Sequence, residues 1–246
     1  MLTDLIRGAL YFWRGLSLIR KKGVRGWAAL PIFLTLLVYG LGVWAGITYI
    51  EPLAERAEDW LPSWLSAATY LLWILFGVSI LLLFGFGFVV VASLLASPFN
   101  GPLAESVERT VSGEGPPEVS WGRLVLRTPL ILWEETKKLL YYLAWAVPFL
   151  VLFVVPFTIP AAPVLWFLFT AWMLAVEFSD YPMDNNGLLF REMRTRLKRR
   201  RLLAVGFGAM AAFVSTVPVL NLFVVPAGVA GATLMWVEVF RSPDAR

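Results

Sequence analysis

The chain has 246 residues, of which 59% are hydrophobic and 15% charged, with a formal net charge of +4 and neither histidine nor cysteine. With a mean hydropathy of +0.73, this composition belongs to the membrane class. The absent side chains exclude disulfides, zinc and iron–sulfur centres, His-ligated haem and hydrolytic centres built on Cys-His or Ser-His.

Residues 2–19 read as an amphipathic interfacial helix. Leu2, Ile6, Ala9, Trp13 and Leu16 share one face, and Asp4, Arg7 and Arg14 lie off it. Scattered charges over this stretch do not fit a cleavable signal peptide. A basic turn follows at Arg20, Lys21, Lys22, Gly23, Val24, Arg25 and Gly26, closing an N-terminal segment at 1–26. Residues 27–50 carry no charge and are long enough for a transmembrane helix, with Pro31 close enough to its start to be tolerated. Residues 51–60 form an acidic loop. The uncharged run from 61 to 103 predicts a second transmembrane helix over 62–96, bending near Ser97-Pro98-Phe99-Asn100-Gly101-Pro102. Glu105 and Arg109 follow at the i,i+4 spacing of a helical ion pair. Residues 112–120 are a loop by composition, and 121–140 form a second interfacial helix.

Two uncharged blocks, 139–176 and 202–237, are each interrupted by proline. Pro148, Pro156, Pro160 and Pro163 lie in the first; Pro218 and Pro226, with Asn221, lie in the second. Each is short for a full transmembrane hairpin and too long for one span, so 141–177 and 202–238 are predicted as re-entrant helical hairpins. Non-helical backbone at that depth must be surrounded by protein or line a cavity, which implies an internal cavity or a homo-oligomer. Between the blocks, Tyr181 to Gly187 reads as a shaped connection. Residues 188–201 read as a basic surface helix, with Leu189, Met193 and Leu197 on one side and Arg191, Arg194, Lys198 and Arg201 on the other. The predicted class is an all-α integral membrane protein forming a single membrane domain. It has two long transmembrane helices, two re-entrant hairpins and amphipathic interfacial helices. Retention of Lys and Arg on the cytoplasmic side puts the N-terminus and the basic helix inside.

The basic turn at Arg20, Lys21, Lys22 and Arg25 is the candidate anion site. A helix start offers unpaired N–H groups and a positive dipole end, and Gly23 and Gly26 allow close approach to the backbone. The bland reading is a topology anchor beside anionic lipid. Asn100, Glu105 and Arg109 are candidates for a polar pathway or for an interfacial ion pair at a helix end. Asp180 and Asp184 read as caps or as salt-bridge partners of the following arginines rather than as an acid/base pair. No phosphate-binding glycine loop follows a strand, and the basic runs lack the interleaved aromatics of a nucleic-acid surface. No metal, cofactor, nucleic-acid partner or enzymatic activity is expected.

Several segments carry a resemblance: SPFNGPLAE at 97–105, APVLWFLFTAWMLAVEFSDYPMDNN at 162–186, FREMRTRLKRRR at 190–201 and VPVLNLFVVPAGVAGATLMWVE at 217–238. With GLSLIRKKGVR at 15–25, they resemble the CysZ family of bacterial sulfate permeases over nearly the whole chain. The resemblance implies sulfate uptake across the inner membrane for cysteine biosynthesis, on two long transmembrane helices and two hemi-penetrating hairpins. It places anion binding at Gly15, Leu16, Leu18, Ile19, Gly23, Val24 and Arg25. Three positions depart from the family pattern. Gly26 stands where a second arginine is frequent, a charge that Arg20 or Lys22 can supply; Thr35 stands for an asparagine, and Asn186 for a frequent histidine. The competing class is a non-transporting scaffold or accessory protein that binds partners or anionic lipids.

Overall fold

The computed structural model describes residues 2–59, 98–117 and 121–241, with positions 74, 77 and 78 between them. The body of the expected 62–96 helix, and the expected bend as far as Ser97, lie outside the described residues. The described secondary structure is helical: α1 (Leu2–Leu18), α2 (Arg25–Asp59), α3 (residues 98–112), α4 (Trp121–Val151), α5 (Ala162–Asn185), α6 (Phe190–Arg199), α7 (Arg201–Ser215) and α8 (Pro218–Met235), continued by a π-helical turn at Trp236–Phe240. The chain divides into two compact units, Met1–Ala28 with Asn100–Arg246, and Ala29–Phe99. Among the described residues three helical stretches are long and apolar enough to cross a membrane: Arg25–Ala45, Ala162–Asn185 and Val219–Phe240.

In the second unit α2 carries no charge over residues 29–50 and has no polar face there. Phe33, Leu37, Val43 and Trp44 are all exposed on it, as expected of a helix whose surroundings are lipid or protein rather than water. Its helix does not stop at a loop near residue 51 but continues to Asp59. Ala54, Glu55, Arg56, Ala57 and Glu58 are strong helix formers, which outweighs the acidity of the stretch.

The larger unit is organised around α1, which lies against both α7 and α8. Its expected apolar face is the outward one: Leu2, Ile6 and Trp13 are exposed, while Gly8, Tyr11, Phe12, Gly15 and Leu18 are buried. Glycine decides this, because it lets backbones meet. A Cβ on Gly8 would lie 2.7 Å from the Phe207 nitrogen, and one on Gly15 would lie 2.5 Å from the Gly231 nitrogen. Phe207 sits at the centre, its ring 6.3 Å from those of Phe12 and Phe178. At the polar edge Arg14 donates two hydrogen bonds to Glu238, and the Tyr11 hydroxyl donates to the same carboxylate at 2.8 Å. Burial, then the bond to Glu238, raises the Tyr11 pKa and keeps the phenol a neutral donor.

The first proline-interrupted block is an antiparallel helical hairpin of α4 and α5. Phe149 stacks on Phe169 at 4.9 Å, the Trp172 indole N–H donates to the Tyr141 hydroxyl at 2.8 Å, and Lys138 pairs with Asp180 at 2.7 Å. Its tip falls at residues 152–161, among the predicted prolines, and is a chain of tight turns. Pro156 and Pro160 present no N–H there, and the Thr158 hydroxyl is bonded to the Leu152 carbonyl at 2.8 Å. The N–H groups of Leu152 to Val155, Thr158 and Ala161 bond to nearby carbonyls, which reduces the cost of a low-dielectric setting.

Two expectations for this block need correction. No break separates 121–140 from 141–177, since nothing between Leu139 and Trp145 interrupts a helix and Pro148 stands in the last turn of α4. Nor are the arms uniformly half the membrane's depth: α5 has 24 residues, about 36 Å at about 1.5 Å per residue.

The connection expected at Tyr181 to Gly187 is helical as far as Asn185, with Pro182 inside α5; only Gly187, at φ +76°, is left-handed. Tertiary packing overrides the proline. Phe178, Ser179, Pro182 and Met183 are buried, and Asn185 Nδ2 donates to the Gly101 carbonyl at 2.8 Å. Met193 and Leu197 are buried on α6 as the spacing predicts, but Leu189 is an exposed cap residue and Phe190 takes its place in the core. The basic helix ends at Arg199. Arg200, at φ −122° and ψ 46°, breaks the chain direction before α7. In the second proline-interrupted block, Thr216 and Val217 link α7 to α8, Pro218 opens α8, and Pro226 lies inside it.

Candidate functional site: the basic turn and its cleft

Between α1 and α2 residues 19–24 form a turn. Lys21 N–H donates to the Leu18 carbonyl at 2.9 Å, and Val24 and Arg25 N–H both donate to the Lys21 carbonyl, at 3.1 and 3.0 Å. Gly23 has φ +96°, a conformation that L side chains rarely adopt, so glycine there is a backbone requirement. The N–H groups of Lys22, Gly23, Gly26 and Trp27 donate to no backbone carbonyl among the described residues. The last two belong to the first turn of α2, where the helix dipole is positive.

The side chains around these donors divide in two. Leu18, Ile19 and Val24 are buried in the core, Leu16 packs against it, and Gly15 sits in the α1–α8 crossing. They fix the turn in place and offer no polar group. Arg20, Lys21, Lys22 and Arg25 are exposed, and none makes an ion pair among the described residues. Gly26 is exposed, and a Cβ there would meet nothing within 4 Å.

A cleft of about 350 Å³ opens beside the turn, lined by Gly23, Trp27, Pro102, Glu105, Ser106, Arg109 and Thr110. Its α3 wall follows the helical period, positions 102, 105, 106, 109 and 110 falling on one face. The structure therefore brings the basic turn together with Glu105 and Arg109, two of the pathway candidates. Arg109 Nη2 and Nε donate to Glu105 Oε1 at 2.8 and 3.1 Å, so Glu105 is neutralised and Arg109 keeps donors to spare. Ser106 and Thr110 direct their hydroxyl hydrogens to helix carbonyls, of Leu103 and Ser106 respectively. The donors left for an anion are thus the turn's N–H groups, Arg109 and the exposed cations.

Asn100 does not line this cleft. It is buried on the far side of α3, and its Oδ1 has no partner among the described residues. Thr35 belongs to the other compact unit. Glu108, which the sequence reading passed over, is completely buried. Its Oε2 accepts from Asn186 Nδ2 at 2.9 Å and its Oε1 from the Trp236 indole N–H at 3.4 Å. Asn186 thus serves as a donor to a buried carboxylate, tying the end of α5 to the helix that carries the cleft. The helical period was the available signal for Ser106 and Thr110. None marked Glu108, whose partners lie 78 and 128 residues away.

The fold defines a helical membrane protein in which a turn bearing four exposed cations lies beside a cleft. The chain belongs to the family described as Sulfate transporter CysZ/Etoposide-induced protein 2.4, which it matches over residues 11–226. This is the family that the motifs resembled.

Proposed function

We propose that the protein is a sulfate permease of the bacterial inner membrane that supplies sulfur for cysteine biosynthesis. The observation that carries this reading is the basic turn: four exposed cations without ion-pair partners among the described residues, around N–H groups that no backbone carbonyl uses. Sulfate is a strongly hydrated dianion that only accepts hydrogen bonds. A route for it must replace much of that hydration with N–H donors and cations, yet hold the ion weakly enough to release it. Arg25, Arg20 and the Gly23 to Gly26 backbone are the capture site, set by Gly15, Leu16 and Val24 behind it. Arg109, paired with Glu105, is the next cation along the cleft, and Thr35 and Asn100 are further candidates for the path. The hairpins are re-entrant and enter from the cytoplasmic side, where the N-terminus lies, and a homo-oligomer covers their apolar tips. Family membership and the largely hydrogen-bonded turns of the 152–161 tip support that arrangement.

The test is uptake of radiolabelled sulfate into liposomes containing the purified protein, compared with Arg25→Ala and empty vesicles, with and without an imposed proton gradient. Protein-dependent uptake that falls in the variant supports the permease, and the gradient arm reports coupling. Folded protein in competent vesicles with no uptake would refute it and leave a scaffold or accessory role.

A further inference from the structure

Past α3 the chain turns back toward the helix it has just left. Gly113 N–H donates to the Arg109 carbonyl at 3.1 Å, and Gly113 has φ +78°, so glycine there meets a backbone requirement. Ser112 Oγ lies 2.8 Å from the carbonyls of both Glu108 and Glu114, which ties the turn to the helix end. Arg241 Nη2 pairs with Glu114 Oε2 at 3.2 Å, and Pro116 and Pro117 stiffen the chain that follows.

Gly115 has a different reason to be glycine. Its φ is negative, so no left-handed conformation demands it. What the missing side chain gives is room: a Cβ at 115 would lie 2.7 Å from Arg109 Nε, 2.8 Å from Cζ and 3.0 Å from Nη2. The guanidinium therefore rests against the bare Cα of Gly115 while its Nε and Nη2 donate to Glu105 Oε1. Nη1 makes no hydrogen bond among the described residues, and Arg109 lines the cleft beside the basic turn.

We propose that Gly115 is a positioning residue for Arg109. The bare backbone at 115, presented by the Gly113 turn and tethered through Glu114 to Arg241, seats the guanidinium against Glu105 and leaves Nη1 as the donor offered to an anion in the cleft. The identity of that anion rests on the sulfate-permease reading; the seat itself does not. The Arg109 side chain is 52% exposed, and without a seat it would sample many rotamers, whose ordering would weigh against anion binding. A seat formed on folding removes that cost from the binding step, so its loss weakens affinity rather than turnover.

The experiment is sulfate uptake by liposomes carrying the parent chain, Gly115→Ala, Arg109→Ala or the double variant, resolved into KM and Vmax, with the Tm of each protein. Gly115→Ala is expected to raise KM at least about fivefold, the scale of one weakened hydrogen bond, and to leave Vmax unchanged. Its Tm should hold or rise, because the guanidinium can swing aside and alanine narrows the unfolded ensemble. The double variant should match Arg109→Ala alone, since no guanidinium is left to displace. Modification of Arg109 by phenylglyoxal, read by peptide mass spectrometry, should quicken in Gly115→Ala as the group leaves its seat. An unchanged KM overturns the proposal, as does a KM effect of Gly115→Ala that persists in the Arg109→Ala background. A large fall in Tm overturns it too, because the methyl would then be meeting a rigid part of the fold. A parent chain without uptake refutes the permease but not the seat, which the phenylglyoxal rate then decides: an unchanged rate overturns it.

Discussion

Gly15→Ala tests whether that glycine serves the anion or the fold. The added methyl would lie 2.5 Å from the Gly231 nitrogen and 2.7 Å from its Cα, and would overlap the Ala227 carbonyl. These are backbone atoms of a neighbouring helix and cannot rotate away, so α1 must be pushed off α8. Overpacking of this kind costs about 1–3 kcal/mol, and more where the backbone cannot yield. The gain in helix propensity from Gly to Ala returns at most about 1 kcal/mol. A net loss of about 2 kcal/mol corresponds to a fall in Tm of about 4–8 °C for a chain of this size. The assay is thermal unfolding of the full chain in detergent, followed by tryptophan fluorescence, with sulfate flux measured on samples matched for folded protein. Gly26→Ala is the internal comparison: a Cβ there meets nothing within 4 Å, so Tm should hold or rise, and any loss of flux reports on close approach of the anion. An unchanged Tm with abolished flux in Gly15→Ala would refute the packing argument and place the anion at Gly15 itself.

Further perturbations separate the roles of the charged groups. Glu105→Gln removes a pair whose side chains are 42% and 52% exposed; such pairs contribute about 0–1 kcal/mol, so stability and sulfate flux should both be retained, and a large loss of flux with normal folding would show that the carboxylate shapes the path. Glu108→Ala takes the acceptor from the buried Trp236 indole N–H and from one of the two Asn186 amide hydrogens, the other staying on the Pro182 carbonyl, and should cost about 1–3 kcal/mol by thermal unfolding, with Glu108→Gln intermediate because it keeps one acceptor; equal stability of all three proteins would contradict this. Lys138→Met leaves Asp180 and Glu177 without their shared cation, at a cost of about 3–5 kcal/mol. Adding Asp180→Asn should recover part of that loss, and failure to recover any would mean that Lys138 acts through packing alone.

Composition and length were enough to determine the membrane class, and the prolines at 148, 156, 160 and 163 bracketed the tip of the first hairpin. Proline and net hydropathy act locally, through a missing donor and through transfer from water, so both are legible without a fold. The basic turn was legible for the same reason, since Gly23 and the four cations lie within a few residues of one another, and the spacing of four between Glu105 and Arg109 is enough to pair them. Only the tertiary structure decided which face of α1 is buried. Periodicity marks the large apolar side chains, whereas the contact is made through Gly8 and Gly15, whose lack of a side chain gives no hydrophobic signal. It likewise decided that α5 continues through Pro182, because the burial of Phe178, Ser179 and Met183 outweighs one lost backbone bond. The joining of the turn to Glu105 and Arg109 in one cleft, and the seating of Glu108 on Asn186 and Trp236, join segments about 80 to 130 residues apart. No local rule of helix chemistry reaches across such separations; the packing of α1 against α7 and α8, and of α5 against α7, brings the segments together.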